Sequence, residues 1–245
     1  MRSAAMALKQ FRFENKAFWR NPAAAFFTFV FPLMFLFIFN GLNVGPSQYY
    51  VPSIATFSVI TACYTNIAMN VSFSRDEGVL KRLRGTPLPG WVFLIAKVIH
   101  STFLAIILVA IVVATGTLLF DVDLPADSMG AFVATVFVGA MAFSALGLAI
   151  TSVVPNADAA PAIVNFSILP LLFISGVFID TSEAPEWLTR VADIFPVSHF
   201  NEGMLSAFNP LGGSGWETDD LVIMAVWGVA GLLLAVRFFS WEPRR

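Results

Sequence analysis

The sequence predicts an all-α integral membrane protein: six transmembrane helices, an amphipathic helix at the N-terminus, a short cytoplasmic helix and a helical hairpin at the outer interface. Three observations predict it. Apolar residues make up 58% of the 245 positions and charged residues 12%, with a mean hydropathy of +0.79, where a soluble domain carries roughly 25% charge. Six long apolar runs stand almost free of charge, each near the roughly 20 residues that cross a bilayer as a helix. Finally, 13 of the 14 Lys and Arg residues fall on one set of alternating connections.

The same composition narrows the function classes. The net charge of −2 hides this segregation and gives no footprint for nucleic acid. Cys63 is the sole cysteine, so neither an internal disulfide nor a cysteine metal site can form in one chain. His100 and His199 stand far apart without a ligand-like pattern, and no metal is assigned. The whole chain, 1–245, reads as one membrane domain.

In residues 1–21, Lys9, Arg12, Lys16 and Arg20 recur at helical spacing, and Leu8, Phe11, Phe18 and Trp19 form a second, apolar stripe. Such a helix lies in the interface, with its basic side towards anionic headgroups. No cleavage site follows, and the next apolar run is too long for a signal peptide. The spans are expected at about 23–41, 51–73, 92–120, 129–154, 159–179 and 219–239. Ser58, Thr61, Thr65 and Ser72 make a hydroxyl stripe on the second, with Asn66 and Asn70 alongside. The fourth pairs Ala140 with Ser144 and Ala145 with Ala149, spacing that lets helices approach closely. Residues 180–218 are long for a helical connection. There Trp187, Leu188, Val191, Ile194 and Phe195, then Phe200, Met204, Leu205 and Phe208, give two apolar helical faces.

Orientation follows from charge. Basic residues crowd the N-terminal segment, the second connection between spans, and the C-terminal tail with Arg237, Arg244 and Arg245. The opposite loops hold Arg190 against eleven acidic residues, among them Asp121, Asp180, Glu202 and Asp220. The positive-inside rule places both termini in the cytoplasm of a cell membrane, and six spans agree with that.

The densest charge lies in segment 75–90. Arg75, Asp76 and Glu77 lead into Gly78, Leu80, Lys81, Arg82, Leu83 and Arg84, and Thr86-Pro87 stops the helix. Leu80 and Leu83 share one face between basic neighbours, an apolar knob in a positive rim suited to docking a partner protein. An ordinary basic cytoplasmic loop is the plainer alternative.

The string Gly78-Val79-Leu80-Lys81-Arg82-Leu83-Arg84-Gly85-Thr86-Pro87-Leu88 resembles the coupling segment of type-2 ATP-binding-cassette (ABC) exporter permeases. The "SGVF" that ends the fifth span and the following "PEWL…FPVSH" resemble the re-entrant outer hairpin of the same family, so the likeness covers nearly the whole chain. It implies that residues 75–84 with Thr86 and Pro87 contact a separate ABC ATPase, which uses ATP and magnesium while this chain binds no cofactor. It also implies a second permease chain, identical or not, and a bacterial source. The coupling string looks most like the drug and antibiotic-resistance, daunorubicin-type branch, with polysaccharide or glycolipid exporters as the alternative. Phe35, Asn165 and Phe173 lie on the two spans that line the pathway in that family, and are expected to line it here.

The residues agree with an outside energy source. No GxxxxGK[ST] phosphate loop occurs, and Gly212-Gly213-Ser214-Gly215 has no lysine. Lys97 is the one charge approaching a span interior, which argues against ion coupling. An integral membrane enzyme would need clustered carboxylates or histidines at the membrane face; Asp76-Glu77 and Asp219-Asp220 read as helix starts instead. A sensor or assembly subunit of the same fold is a further alternative.

Overall fold

The computed structural model describes residues 2–42, 45–86, 88–181, 184–208 and 215–241. All regular structure among them is helical: α1 Arg2–Trp19, α2 Pro22–Gly41, α3 Ser47–Asp76, α4 Val79–Arg84, α5 Gly90–Phe120, α6 Met129–Ile150, α7 Ala160–Ile174, α8 Glu186–Ala192, α9 Pro196–Phe208 and α10 Thr218–Phe238. Four of these, α3, α5, α6 and α10, are long and apolar enough to cross a membrane. The first and fifth apolar runs form shorter helices, α2 and α7.

Local chemistry sets the ends. Pro22 opens α2, where a missing N–H leaves nothing unpaired. Asp219 and Asp220 sit in the first turn of α10 and Arg237 in its last, each charge complementing the helix dipole. The fifth run, expected to be helical over 159–179, stops at Ile174. Gly176 takes a φ of +74° that a side chain would resist, and Ser175, Val177 and Phe178 turn inward and are buried. Non-helical backbone at this depth needs partners: Tyr49 donates its hydroxyl to the Gly176 carbonyl, and the Asn201 amide donates to Ser175 O at 3.3 Å.

α3 is the central post, contacting α2, α5, α6 and α9. It loosens into one π-helical turn at Thr61–Thr65. Opposite that turn Gly147 of α6 comes so close that a Cβ would stand 2.8 Å from Tyr64 O and 2.9 Å from Cys63 O. The close approach therefore needs glycine. α6 in turn carries α10 along its length. The outer hairpin divides in two. α8 and the turn after it leave Trp187, Val191 and Ile194 exposed, while α9 buries Phe200, Met204 and Phe208 between α3, α6 and α10.

α1 is less exposed than an isolated interfacial helix. It packs along α5, with Phe11 edge-on to Phe103 and Phe18 edge-on to both Phe29 and His100, while Leu8, Phe13 and Trp19 stay exposed.

Candidate functional site

Gly78 joins α3 to α4 at a φ of +73°, turning the chain sharply below the bundle. The turn points Leu80 inward. It is fully buried in a second apolar cluster with Ile67 and Val71 of α3, Phe93 of α5, Leu148 of α6 and Ala235 of α10, and Leu83 packs half-buried against the cluster. This corrects the expected apolar knob: Leu80 is an anchor of the fold rather than a contact offered outward.

Arg75 is corrected for the same reason. It is 1% exposed and donates from Nη1 to Thr151 O at 2.9 Å and from Nη2 to Val154 O. Asp76 beside it accepts from Ala157 N–H at 3.0 Å. Both residues fasten the end of α3 to the α6–α7 turn. Glu77, Lys81, Arg82, Arg84, Gly85 and Thr86 remain on the surface. Thr86 caps α4 through its hydroxyl, donating to Leu83 O at 2.7 Å and accepting from Leu88 N–H. Pro87, like Gly212, Gly213, Ser214, Arg244 and Arg245, lies outside the described residues. The outward part of the segment is thus a cationic rim of Lys81, Arg82 and Arg84.

The three expected pathway residues separate into a pair and an outlier. Phe35 stacks on Phe178 at 5.3 Å between centroids, and Phe173 meets the same ring at 5.3 Å. Phe31, Phe39 and Phe57 extend the group. Asn165 stands apart, exposed on α7 beside Phe166, which is 82% exposed. Between α6, α7 and α10 runs an apolar cavity of about 530 Å³, reaching from Ser152 and Phe238 to Phe195. Its depth carries a 2.6 Å hydrogen bond between the hydroxyls of Tyr64 and Ser167.

Two polar clusters escaped the sequence reading because their members come from distant segments. Lys97, counted above with the basic connections, is 5% exposed and bridges to Glu14 of α1 at 2.7 Å. The isolation of Lys97 among the apolar residues of the third run is the available signal. In the hairpin that follows α7, His199 Nδ1 lies 2.8 Å from Asp220 Oδ1 and Nε2 lies 2.8 Å from Asp193 O. Burial disfavours the imidazolium. The bonds to Asp220 and Asp193 and the nearby charges of Asp220 and Glu202 outweigh it, so the His199 pKa stands above its ordinary 6.5. Burial, then the charges of Asp220 and Asp193, raise that of Glu202. Ligand atoms of His199, Glu202 and Asp220 lie within 4.8 Å of one another, the one group among the described residues with spacing for a metal ion. Both His199 nitrogens are already committed to hydrogen bonds.

Residues 10–209 match the family described as ABC-2 type transporter. The chain is 25% identical to the transport permease YvfS of Bacillus subtilis (strain 168), over 89% of this chain and 90% of that one. It is 24% identical to the multidrug ABC transporter permease YbhR of Escherichia coli (strain K12), over 65% of this chain and 43% of the relative. It is 26% identical to the daunorubicin resistance ABC transporter permease protein DrrB1 of Streptomyces coeruleorubidus, over 69% and 62%.

Proposed function

The chain belongs to the ABC-2 type transporter family as a multi-pass membrane permease subunit, and we propose that it moves a hydrophobic or amphipathic compound outward across the cell membrane, driven by a separate ABC ATPase. The ATPase partner follows from the family; the export direction and the compound class are our reading.

One observation carries the reading. α4 presents Lys81, Arg82 and Arg84 to the surface while its buried side, Leu80, is seated among residues of α3, α5, α6 and α10. A force applied to the rim reaches four long helices through one apolar contact. Packed interiors move as discrete bodies rather than yielding continuously, so such a contact can pass a stroke on. In this reading ATP and magnesium act on the partner, and Lys81, Arg82, Arg84, Glu77 and Thr86 meet it. Two permease chains line the path, with Phe35, Phe173 and the exposed Asn165 on the shared face. An asparagine in a membrane helix gains most when a neighbouring helix supplies its partner. Names of relatives carrying multidrug or daunorubicin resistance favour the drug-exporting branch over a polysaccharide or glycolipid exporter.

The test is reconstitution of the permease with its ATPase in liposomes, following ATP-dependent movement of a fluorescent amphiphile. Replacing Lys81, Arg82 and Arg84 together with Gln should uncouple hydrolysis from movement. Undiminished transport by that variant would overturn the assignment of the rim.

A further inference from the structure

Beneath α1 lies a polar cavity of about 130 Å³, enclosed by α1, α2, α3 and α5 and lined by Glu14, Asn66, Asn70, Lys97, His100 and Ser101 among others. Lys97 is only two turns into α5, which places the cavity at the cytoplasmic edge of the bundle. Its polar groups are unevenly satisfied. Glu14 has both oxygens engaged: Gln10 donates to Oε1 at 2.9 Å and Lys97 to Oε2 at 2.7 Å. Asn70 Oδ1 also accepts from Lys97. The one carboxylate in the cavity thus already has its charge offset by Lys97.

Free donors remain. Lys97 has three N–H bonds and spends two. The Asn70 amide N–H₂ group, the Asn66 side chain and the Ser101 hydroxyl have no partner among the described residues. His100 Nε2 is buried in a residue 7% exposed and has no partner there either. A buried polar atom left unpaired costs about 1–3 kcal/mol, and His100 Nε2 is such an atom; with the unpartnered groups of Asn66, Asn70 and Ser101 around the same cavity it points to an occupant. Among the lining residues Asn70 is exposed on α3, one turn from the exposed Phe73.

We propose that this cavity binds the anionic headgroup of an amphipathic molecule, through carboxylate, phosphate or sulfate oxygens, and leaves its tail outside along α3. The chemistry favours acceptors: the Glu14 charge is already offset by Lys97, whereas Lys97 and the Asn70 amide still have N–H bonds to give. Size selects for a head alone, since 130 Å³ lies well below the roughly 300–1,000 Å³ of pockets that enclose drug-sized ligands. Lys97 remains neutralised by Glu14, so recognition comes from charge-assisted hydrogen bonds to the ligand. The inference deepens the transport reading by giving the compound an acidic head and an entry point. An anionic membrane lipid offers the same chemistry.

The experiment uses the full-length permease alone, in nanodiscs of zwitterionic lipid without ATP or ATPase, so a failure of the transport reading leaves it unaffected. Thermal unfolding is followed against dodecyl phosphate and dodecyltrimethylammonium. The phosphate should raise the unfolding midpoint in a saturable way and the ammonium should not. Ser101→Ala and Asn70→Leu should each weaken the phosphate response by about tenfold, the loss of one charge-assisted hydrogen bond. Ser101→Ala keeps the test valid should Asn70→Leu prove unstable. Adding phosphatidylglycerol to the disc distinguishes sources: competition assigns the site to lipid, and its absence to a free amphiphile, with the headgroup chemistry upheld in both cases. Equal responses to the two probes, or unchanged responses in both variants, would overturn the proposal and leave a cavity filled by water.

Discussion

The Arg75 guanidinium donates from Nη1 to the carbonyl of Thr151 at 2.9 Å, joining the C-terminal ends of α3 and α6. Carbonyls at a helix C-terminus lack intrahelical partners, and arginine's planar fork can serve two at once. Arg75→Met should therefore lower stability by about 2 kcal/mol or more, since it leaves buried acceptors bare. Arg75→Lys should restore only part, because a point charge cannot reproduce the fork. Cys63 is fully buried, so its reaction with a fluorogenic maleimide on heating reports the unfolding midpoint directly. A midpoint unchanged in Arg75→Met would show the staple to be dispensable.

Leu80 and the cationic rim should separate by phenotype. Leu80→Ala removes a side chain from a cluster shared by four helices and should cost about 2–5 kcal/mol in stability. Lys81→Gln with Arg82→Gln and Arg84→Gln should leave the unfolding midpoint in place and weaken ATPase retention, more so at high salt, because exposed charges act through screened, long-range attraction. A pull-down at two salt concentrations, run beside the maleimide assay, checks both. Rim variants that unfold early, or a Leu80→Ala protein of full stability, would contradict this division.

Phe35 and Phe173 should behave as a coupled pair. Each contacts Phe178, so the double substitution to Ala should depart from the sum of the singles by about 0.5 kcal/mol or more. Asn165→Ala should add independently, since Asn165 lies apart from that group. Transport selectivity across a panel of amphiphiles, analysed as a double-mutant cycle, is the measurement. Simple additivity of Phe35→Ala and Phe173→Ala would separate the two rings functionally.

The outer hairpin should be sensitive to pH. His199 faces acceptors from α10 (Asp220) and from the end of α8 (Asp193 O), with Glu202 on its own helix and Glu217 and Asp219 nearby. Its pKa is higher folded than unfolded. The stability it contributes is fully present below about 6.5 and is lost as pH rises through the higher folded value. Glu202, also raised, acts in the same sense at lower pH. The unfolding midpoint should fall as pH goes from about 6 to about 9, and His199→Gln should flatten that dependence. An unaltered slope in His199→Gln would assign the effect elsewhere.

Much of the architecture is legible because a bilayer imposes one-dimensional rules. Long apolar runs such as 98–120 cannot be anything but buried helix, and the charge on Lys81, Arg82 and Arg84 needs no tertiary information to be read as surface. Within segment 75–84 the sequence alone leaves open which residues face outward. Arg75 is the same residue type as Arg82 and Arg84, and the turn at Gly78, with its positive φ, separates them: Leu80 turns inward and Arg75 stays above the turn. Lys97 misled for a related reason: a lysine after a basic loop looks like its last member until Glu14, 83 residues earlier, is brought beside it. The early end of α7 was equally hidden, since "ISGVF" is apolar enough to continue a helix and the partners that stabilise its break, Tyr49 and Asn201, come from other elements.

The unequal lengths of α5 and α7 bear on the membrane itself. The 31 residues of α5 measure about 46 Å and the 15 of α7 about 22 Å, against a hydrocarbon thickness of about 30 Å. The long helix overshoots and tilts or projects, while lipids beside the short one must compress towards it, at a fraction of a kcal/mol per Å of mismatch. One 26.7 kDa body thus carries a thick edge and a thin edge. The bilayer around it is graded in depth, so acyl-chain length becomes a physical setting on how easily the short edge accommodates a passing amphiphile.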